Sequence, residues 1–259
     1  MVRREKSEYV IQSVSHALDL MEQFCRGGDE IGVTELSKRL KLHKNNVFRL
    51  LATLESHGYV EQNKATENYR LGLKCLQLGH TYAEQTGFLP QARAVLRELA
   101  RACGESCFVA VRRGAAVVPL EFVEGDNSVR VVSLLGTLMP LYCTAAGRIC
   151  LAFDGDGEVR DGLTEKLERF TDKTVVDRHR IADAVKEVGT AGYAVEHGEF
   201  MDDLASVAVP IQDYTRALVG TLGVAGPSYR MTEEHVRKQI VPLLLKSGSD
   251  LSRRLGFPG

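Results

Sequence analysis

The sequence predicts an α+β protein in two parts: a helical N-terminal unit closed by a small two-stranded wing, then a linker helix and a mixed α/β C-terminal domain. Three observations carry this. Three helical segments precede residue 58, and two short strand-like runs follow them. Beyond residue 104, apolar runs rich in β-branched residues alternate with helical stretches. Between the two regimes "TGFLP", Thr86 to Pro90, interrupts the pattern.

Taken in order, Val10, Ile11, Val14, Ala17, Leu18, Met21 and Phe24 form a helical stripe over residues 10–25, which "RGGDE" breaks. "VTELSKRL" follows, with Thr34 placed to cap a short helix bearing Leu36 and Leu40. Lys41, Leu42 and His43 leave room for a tight turn. A third helix runs from Lys44 to about His57, with Val47, Leu50, Leu51 and Leu54 on one face, and Gly58 ends it. Tyr59–Glu61 and Asn68–Leu71 read as two strands around a polar turn. An apolar helix over 73–86 carries Leu73, Leu76, Leu78 and Tyr82. Pro90 suits the first turn of a helix over 91–103. "SCFVAVRR", "AAVVPLEFV" and "SVRVVSLL" are strand-like. Helices are expected over 144–153, 157–169 and 178–190, strands at "ASVAVPI" and "ALVGTLGVA", and a last helix over 232–255. The expected domains are 8–72, 73–88 for the linker helix, and 89–259.

Bulk properties narrow the class. The 259 residues are 44% hydrophobic and 26% charged, the balance of an ordinary globular protein. No stretch approaches the roughly 20 apolar residues that span a bilayer, and "MVRREKSEYVIQS" has no signal-peptide core. A cytoplasmic protein with no membrane partner is expected. The six cysteines form no CxxC pair and read as buried thiols. The net charge of −1 hides a mild asymmetry: residues 1–80 hold 12 Lys+Arg against 10 Asp+Glu. A weakly basic front is compatible with DNA binding.

The stretch "LKLHKNNVFRLL" points the same way. Asparagine is a poor helix former, yet Asn45 and Asn46 open the third helix. Two short helices joined by a tight turn make a helix-turn-helix unit, whose second helix enters the major groove N-terminus first. There Lys44 can neutralise a phosphate, an Asn amide can pair with adenine, and Arg49 with guanine. Lys64 near the wing tip and Arg70 at its return can reach the backbone or minor groove. Thr34, Lys38, His43 and Thr53 complete the expected DNA-contacting set. A solvated helix start, or a protein-interaction domain of the same shape, is the plainer reading.

"ALDLMEQF", "VTELSKRLKLHKNNVFRLLATLESHGYVEQ" and "YRLGLKCLQLG" closely resemble the N-terminal domain of the IclR family of bacterial transcriptional regulators. "LGTLMPLYCTAAGRICLAF", "GYAVEHGEFMDDLASVAVPI" and "LVGTLGVAGP" resemble its second half, so the likeness covers nearly the whole chain. The resemblance implies a winged helix-turn-helix domain, a linker helix and a GAF-like effector-binding domain. It implies a double-stranded DNA operator and a small-molecule effector as partners, and a homodimer or tetramer. Asn45-Asn46 stands where family members often carry Ser-Thr.

The resemblance also implies where an effector would bind. Ala145 and Ala146 open a small-residue helix start whose amides can hold a carboxylate. Glu196 and Ser206 fall at polar contact positions, and Val131, Met139 and Leu204 at apolar walls. Cys143 is counted with them. Gly223 and Ala225 replace hydroxyls found in some members, which predicts a less polar, roomier pocket. Glu196 would repel an anion unless it protonates, so an aromatic or larger organic acid fits better than a small keto acid. The alternative is that Ala145–Gly147 only allows close helix–sheet packing.

An enzyme is not expected. "TAAGRICLA" lacks a P-loop lysine, and "GVAGPS" is no nucleophile elbow. The seven histidines do not sit at metal-ligand spacing, so no metal or cofactor is expected. His197 with Glu196 and Glu199 is the nearest thing to an acid–base cluster, and its polar context reads as solvated surface. The rival to a regulator is a metabolite-binding GAF-type protein or enzyme whose front domain serves only assembly.

Overall fold

The computed structural model describes residues 10–26, 30–85, 87–153 and 166–258. They fall into two compact units, Met1–Gln85 and Thr86–Gly259.

The first unit holds α1 (Gln12–Gln23) with a 3-10 turn at Phe24–Arg26, α2 (Val33–Leu40), α3 (Lys44–Ser56), β1 (Val60–Gln62), β2 (Tyr69–Leu71) and α4 (Leu73–Gln85). Leu20, Leu36, Val47 and Leu51 are fully enclosed and meet Phe24, Val60 and Tyr69 in one core. Each such aliphatic side chain contributes about 1.5–3 kcal/mol on burial. The α2–α3 turn is tight because Lys41 adopts a left-handed conformation, φ +54°. The Leu42 amide then reaches the Ser37 carbonyl (3.1 Å), and the Ser37 hydroxyl donates to the Leu42 carbonyl (2.6 Å). Thr34 does not cap α2. The pairing of Ile31 with Tyr69 keeps the chain extended through Gly32, so the helix starts at Val33 and Thr34 lies inside its first turn. β1 and β2 pair antiparallel, Glu61 opposite Arg70, to make the wing.

The second unit is an antiparallel six-stranded sheet, ordered β5-β4-β3-β8-β7-β6, between two helical layers. Its elements are α5 (Leu89–Cys103), β3 (Ser106–Arg113), β4 (Ala116–Val123), β5 (Met139–Pro140), α6 (Ala145–Phe153), α7 (Arg178–Ala191), β6 (Ala194–His197), β7 (Leu204–Gln212) and β8 (Leu218–Pro227). The last helical run comprises α8 (Glu233–His235), a π turn at Val236–Ile240 and α9 (Val241–Arg254). Side chains alternate across the strands. Val209 meets Gly248 of α9, whereas Phe108, Ala208 and Ala225 join the α6–α7 core.

Three expectations need correction. "SVRVVSLL" is not a strand: β4, the strand just before it, already has β3 and β5 on its two sides, and Val129, Val132 and Leu135 are exposed. Of the helix expected over 157–169, residues 157–165 lie outside the described residues and 166–169 are not helical. The polar context of His197 and Glu196 predicts solvated surface, but Ala194–His197 form the edge strand β6. No described helix is long and apolar enough to cross a membrane.

Candidate functional site

On α3 the buried pair Val47 and Leu51 turns the opposite face outward. Asn45, Asn46, Arg49 and Thr53 are exposed on it, and Lys44, one turn before Val47, is exposed at the helix start. His43 stands at the cap position, exposed, with no side-chain capping bond, so the first amides of α3 meet only the 3-10-type return of the Asn46 amide to the His43 carbonyl (2.9 Å). A helix start of this kind accepts an anion readily. Thr34 and Lys38 are exposed on α2. Asn46, Arg49 and Thr53 also line a cleft with Gln12, Ser13 and His16 of α1. Two expected contacts are partly committed elsewhere. The Thr53 hydroxyl donates to the Arg49 carbonyl (2.9 Å), and Arg70 pairs with Glu61 across the wing (3.2 Å). Lys64 sits exposed in the wing turn. That turn is held from below by Glu30, which accepts from Asn63 (2.6 Å) and Thr66 (2.7 Å); these bonds, Asn63 first, lower its pKa. Phe48 was missed. It is 56% exposed beside Arg49, where an aromatic side chain has no core to fill. Its signal was its position one residue out of the buried stripe.

In the second unit, one cavity lies between the sheet and the start of α6. Phe108, Pro119, Phe122, Leu134, Met139, Thr144, Ala146, Glu196, Phe200, Leu204, Ser206 and Ala225 line it. The sheet register explains its polar end: Glu196 is paired with Ser206, Ser206 with Ala225, and Ala225 with Ser106. Of the expected residues, Met139, Ala146, Glu196, Leu204, Ser206 and Ala225 meet there. Ala145 and Cys143 are fully buried behind the wall, and Val131 packs on the same core. Gly223 does not widen the cavity. The Phe108 ring lies directly on it, and a Cβ there would run into that ring. Phe108 stacks with Phe122 at 6.4 Å, and Phe200 meets Phe170 edge-on at 5.3 Å, so the apolar wall is largely aromatic. The cavity is narrow, about 20 Å³, near the minimum for a single water. An aromatic guest needs Leu134 or Phe200, both outside helices and strands, to move aside.

Glu196 is not solvated surface: it is 1% exposed. Its carboxyl accepts from the Glu199 amide (2.6 Å), the Phe200 amide (3.4 Å) and the Ser206 hydroxyl (3.0 Å). Burial pushes its pKa up to about 7, with the nearby Glu199 charge adding to the rise and the hydrogen bonds opposing it. Burial likewise pushes Cys143 up to about 12, so it is a neutral apolar group and no nucleophile. At α6, the Thr144 hydroxyl accepts from the Gly147 amide (3.1 Å) and donates to the Pro140 carbonyl (2.7 Å). The amides of Ala145 and Ala146 have no carbonyl one turn back to bond.

Comparison with known proteins places these features in a group. The family model described as "Bacterial transcriptional regulator IclR C-terminal" matches residues 80–253, and that described as "IclR helix-turn-helix domain" matches 13–64. The chain is 30% identical over 254 residues to the HTH-type transcriptional regulator XynR of Escherichia coli, covering 96% of this chain and 99% of that one. An IclR transcriptional regulator from Alicyclobacillus acidocaldarius shares its fold with a TM-score of 0.81 at 27% identity, over 95% of this chain and 99% of that one. An IclR homologue from Microbacterium hydrocarbonoxydans, solved with 4-hydroxybenzoate, shares the fold alone: TM-score 0.79 at 18% identity, over 94% of this chain and 99% of that one.

Proposed function

The chain belongs to the IclR family of bacterial transcriptional regulators, a DNA-binding group controlled by small-molecule effectors, and from that premise we propose which parts of it do the work. The face of α3 bearing Asn45, Asn46, Phe48 and Arg49 reads operator bases, while Lys38, His43, Lys44 and Lys64 hold phosphates. The observation that carries this is that every one of these side chains is exposed while Val47 and Leu51 between them are enclosed. The cavity at α6 takes the effector, an aromatic or organic acid, with the amides of Ala145 and Ala146 toward its carboxylate. The division into residues 8–72, 73–88 and 89–259 follows these roles. The protein acts by binding rather than catalysis, in the cytoplasm, as a homodimer or higher assembly. Supporting assembly, Val10 and Ile11 just before α1, Val14 and Leu18 on it, and Leu73, Leu76 and Leu78 on α4 are more than half exposed; of Tyr82 only the backbone is described.

A mobility-shift assay with DNA upstream of its own gene tests the first role. A front domain serving only assembly would shift nothing. For the second, aromatic acids beginning with 4-hydroxybenzoate are screened for operator release. Ala146→Leu puts a bulky group in the cavity and is expected to abolish release while operator affinity stays within twofold. A variant that melts like wild type and still releases DNA refutes the cavity's role.

A further inference from the structure

The turn after β6 is braced from two sides. From α6, the Arg148 guanidinium donates to the carbonyls of Tyr142 (3.1 Å) and Val195 (3.3 Å), and to both carboxylate oxygens of Glu199 (2.7 and 2.6 Å). From the 170–174 turn, the hydroxyls of Thr171 and Thr174 donate to the carbonyls of Gly198 and Glu199, each at 2.6 Å. The backbone held this way presents the Glu199 amide to Glu196. Glu196 and Glu199 lie three residues apart, and Cys143 sits in the field of both carboxyl groups and of Arg148; one guanidinium nitrogen, Nη2, contacts both oxygens of Glu199. Glu196 receives only neutral donors.

We propose that the Arg148–Glu199 ion pair withholds the guanidinium from Glu196, so that Glu196 meets a ligand as a neutral carboxyl group and a hydrogen-bond donor. Arg148 and Glu199 are thus positioning residues that set the charge preference of the cavity. These charge-assisted contacts are short and nearly enclosed, so Glu199 is not easily displaced. A charged Glu199 in turn disfavours a second negative charge at Glu196, in the same direction as burial. The other titratable or charged groups near this turn do not compensate Glu196. Cys143 is a neutral thiol, Lys173 lies against Gly198 outside the hydrogen bonds to Glu196, and His197 is exposed on β6. A carboxylic acid entering the cavity then meets a donor at Glu196 instead of a second anion. This consequence rests on the effector reading of the cavity; the charge state of Glu196 does not.

Carbon-detected NMR of the full chain labelled at the glutamate carboxyl, with Glu196→Gln to assign the resonance, follows the titration directly and needs no ligand. Wild-type Glu196 is expected to titrate near 7. Glu199→Gln removes the competing charge and releases Arg148, and is expected to lower that midpoint by about one unit or more. Arg148→Gln with Glu199→Gln leaves no guanidinium to transfer, so the midpoint should move back up. An ordinary acidic midpoint in wild type overturns the proposal. So does an unmoved midpoint in Glu199→Gln, or an equal fall in both variants, as a purely structural brace would give. If neither variant folds, the wild-type midpoint decides: near 7 it upholds the neutral carboxyl, and in the ordinary acidic range it overturns it. Failure of the effector reading would appear elsewhere, as operator release indifferent to Ala146→Leu.

Discussion

Glu196 couples stability to pH, because its folded pKa of about 7 exceeds its ordinary 4.5. Between those values the folded chain holds a proton that the unfolded chain has released. The resulting stability is fully present below pH 4.5 and is lost as pH rises through 7, about 3 kcal/mol in all. Glu196→Gln keeps an acceptor for the Glu199 amide and has no proton to lose. It should therefore gain on wild type by up to about 3 kcal/mol between pH 5 and pH 8 in thermal melts, while a difference that ignores pH would contradict the buried carboxyl. The sequence offered little sign of this. The centre of "VEHGEF" is polar, and the turn is braced by Arg148, 51 residues away from its partner Glu199.

At the scale of one element, α3 makes a sharper claim than its residues do singly. Arg49→Ala should weaken operator binding by about 1–3 kcal/mol and random DNA far less. Phe48→Ala should cost specificity at a thymine, since an aromatic side chain can contact the thymine methyl. Lys44→Ala should weaken all duplexes alike and flatten the salt dependence. Equal losses on operator and random DNA for Arg49→Ala would remove it from base readout. The helix itself was legible because its buried positions repeat at helical spacing. The strands were legible where they sit inside the sheet: β3, β7 and β8 are apolar runs with partners on both sides. Alternation failed at "SVRVVSLL", where the pattern suits a strand but β4, the strand just before it, is already paired on both sides. It failed again at β6, whose inward-facing residue is a glutamate. The cavity was half legible. Its α6 end and polar contacts came through resemblance, but its aromatic wall of Phe108, Phe122 and Phe200 depends on how distant strands and turns converge.

For the whole molecule, the proposed assembly rests on the exposed apolar side chains of α1 and α4. Sedimentation at micromolar concentration should give at least a dimer, since paired recognition helices read half-sites about 34 Å apart or a multiple of that. Leu76→Glu, which charges a side chain already 69% exposed, should shift the protein toward monomer and weaken operator binding without lowering its melting temperature. A wild-type monomer with full operator affinity would contradict this.

The order of strands in the large sheet also governs how the chain comes into being. Central strand β3 is paired on one side by β4, a few residues downstream, but on the other by β8, with Ala110 and Thr221 in contact across 111 positions. Contacts of such long range form slowly because a large loop must close first. The first unit, whose core lies within Met1–Gln85, needs no later segment to close it. β3 must then wait, with "CFVAV" and its backbone edge unpaired, until β8 has been synthesised. During that interval it is the segment most open to wrong pairing with other chains and to capture by chaperones. Messages truncated before residue 218 should accordingly yield aggregates, not small soluble regulators.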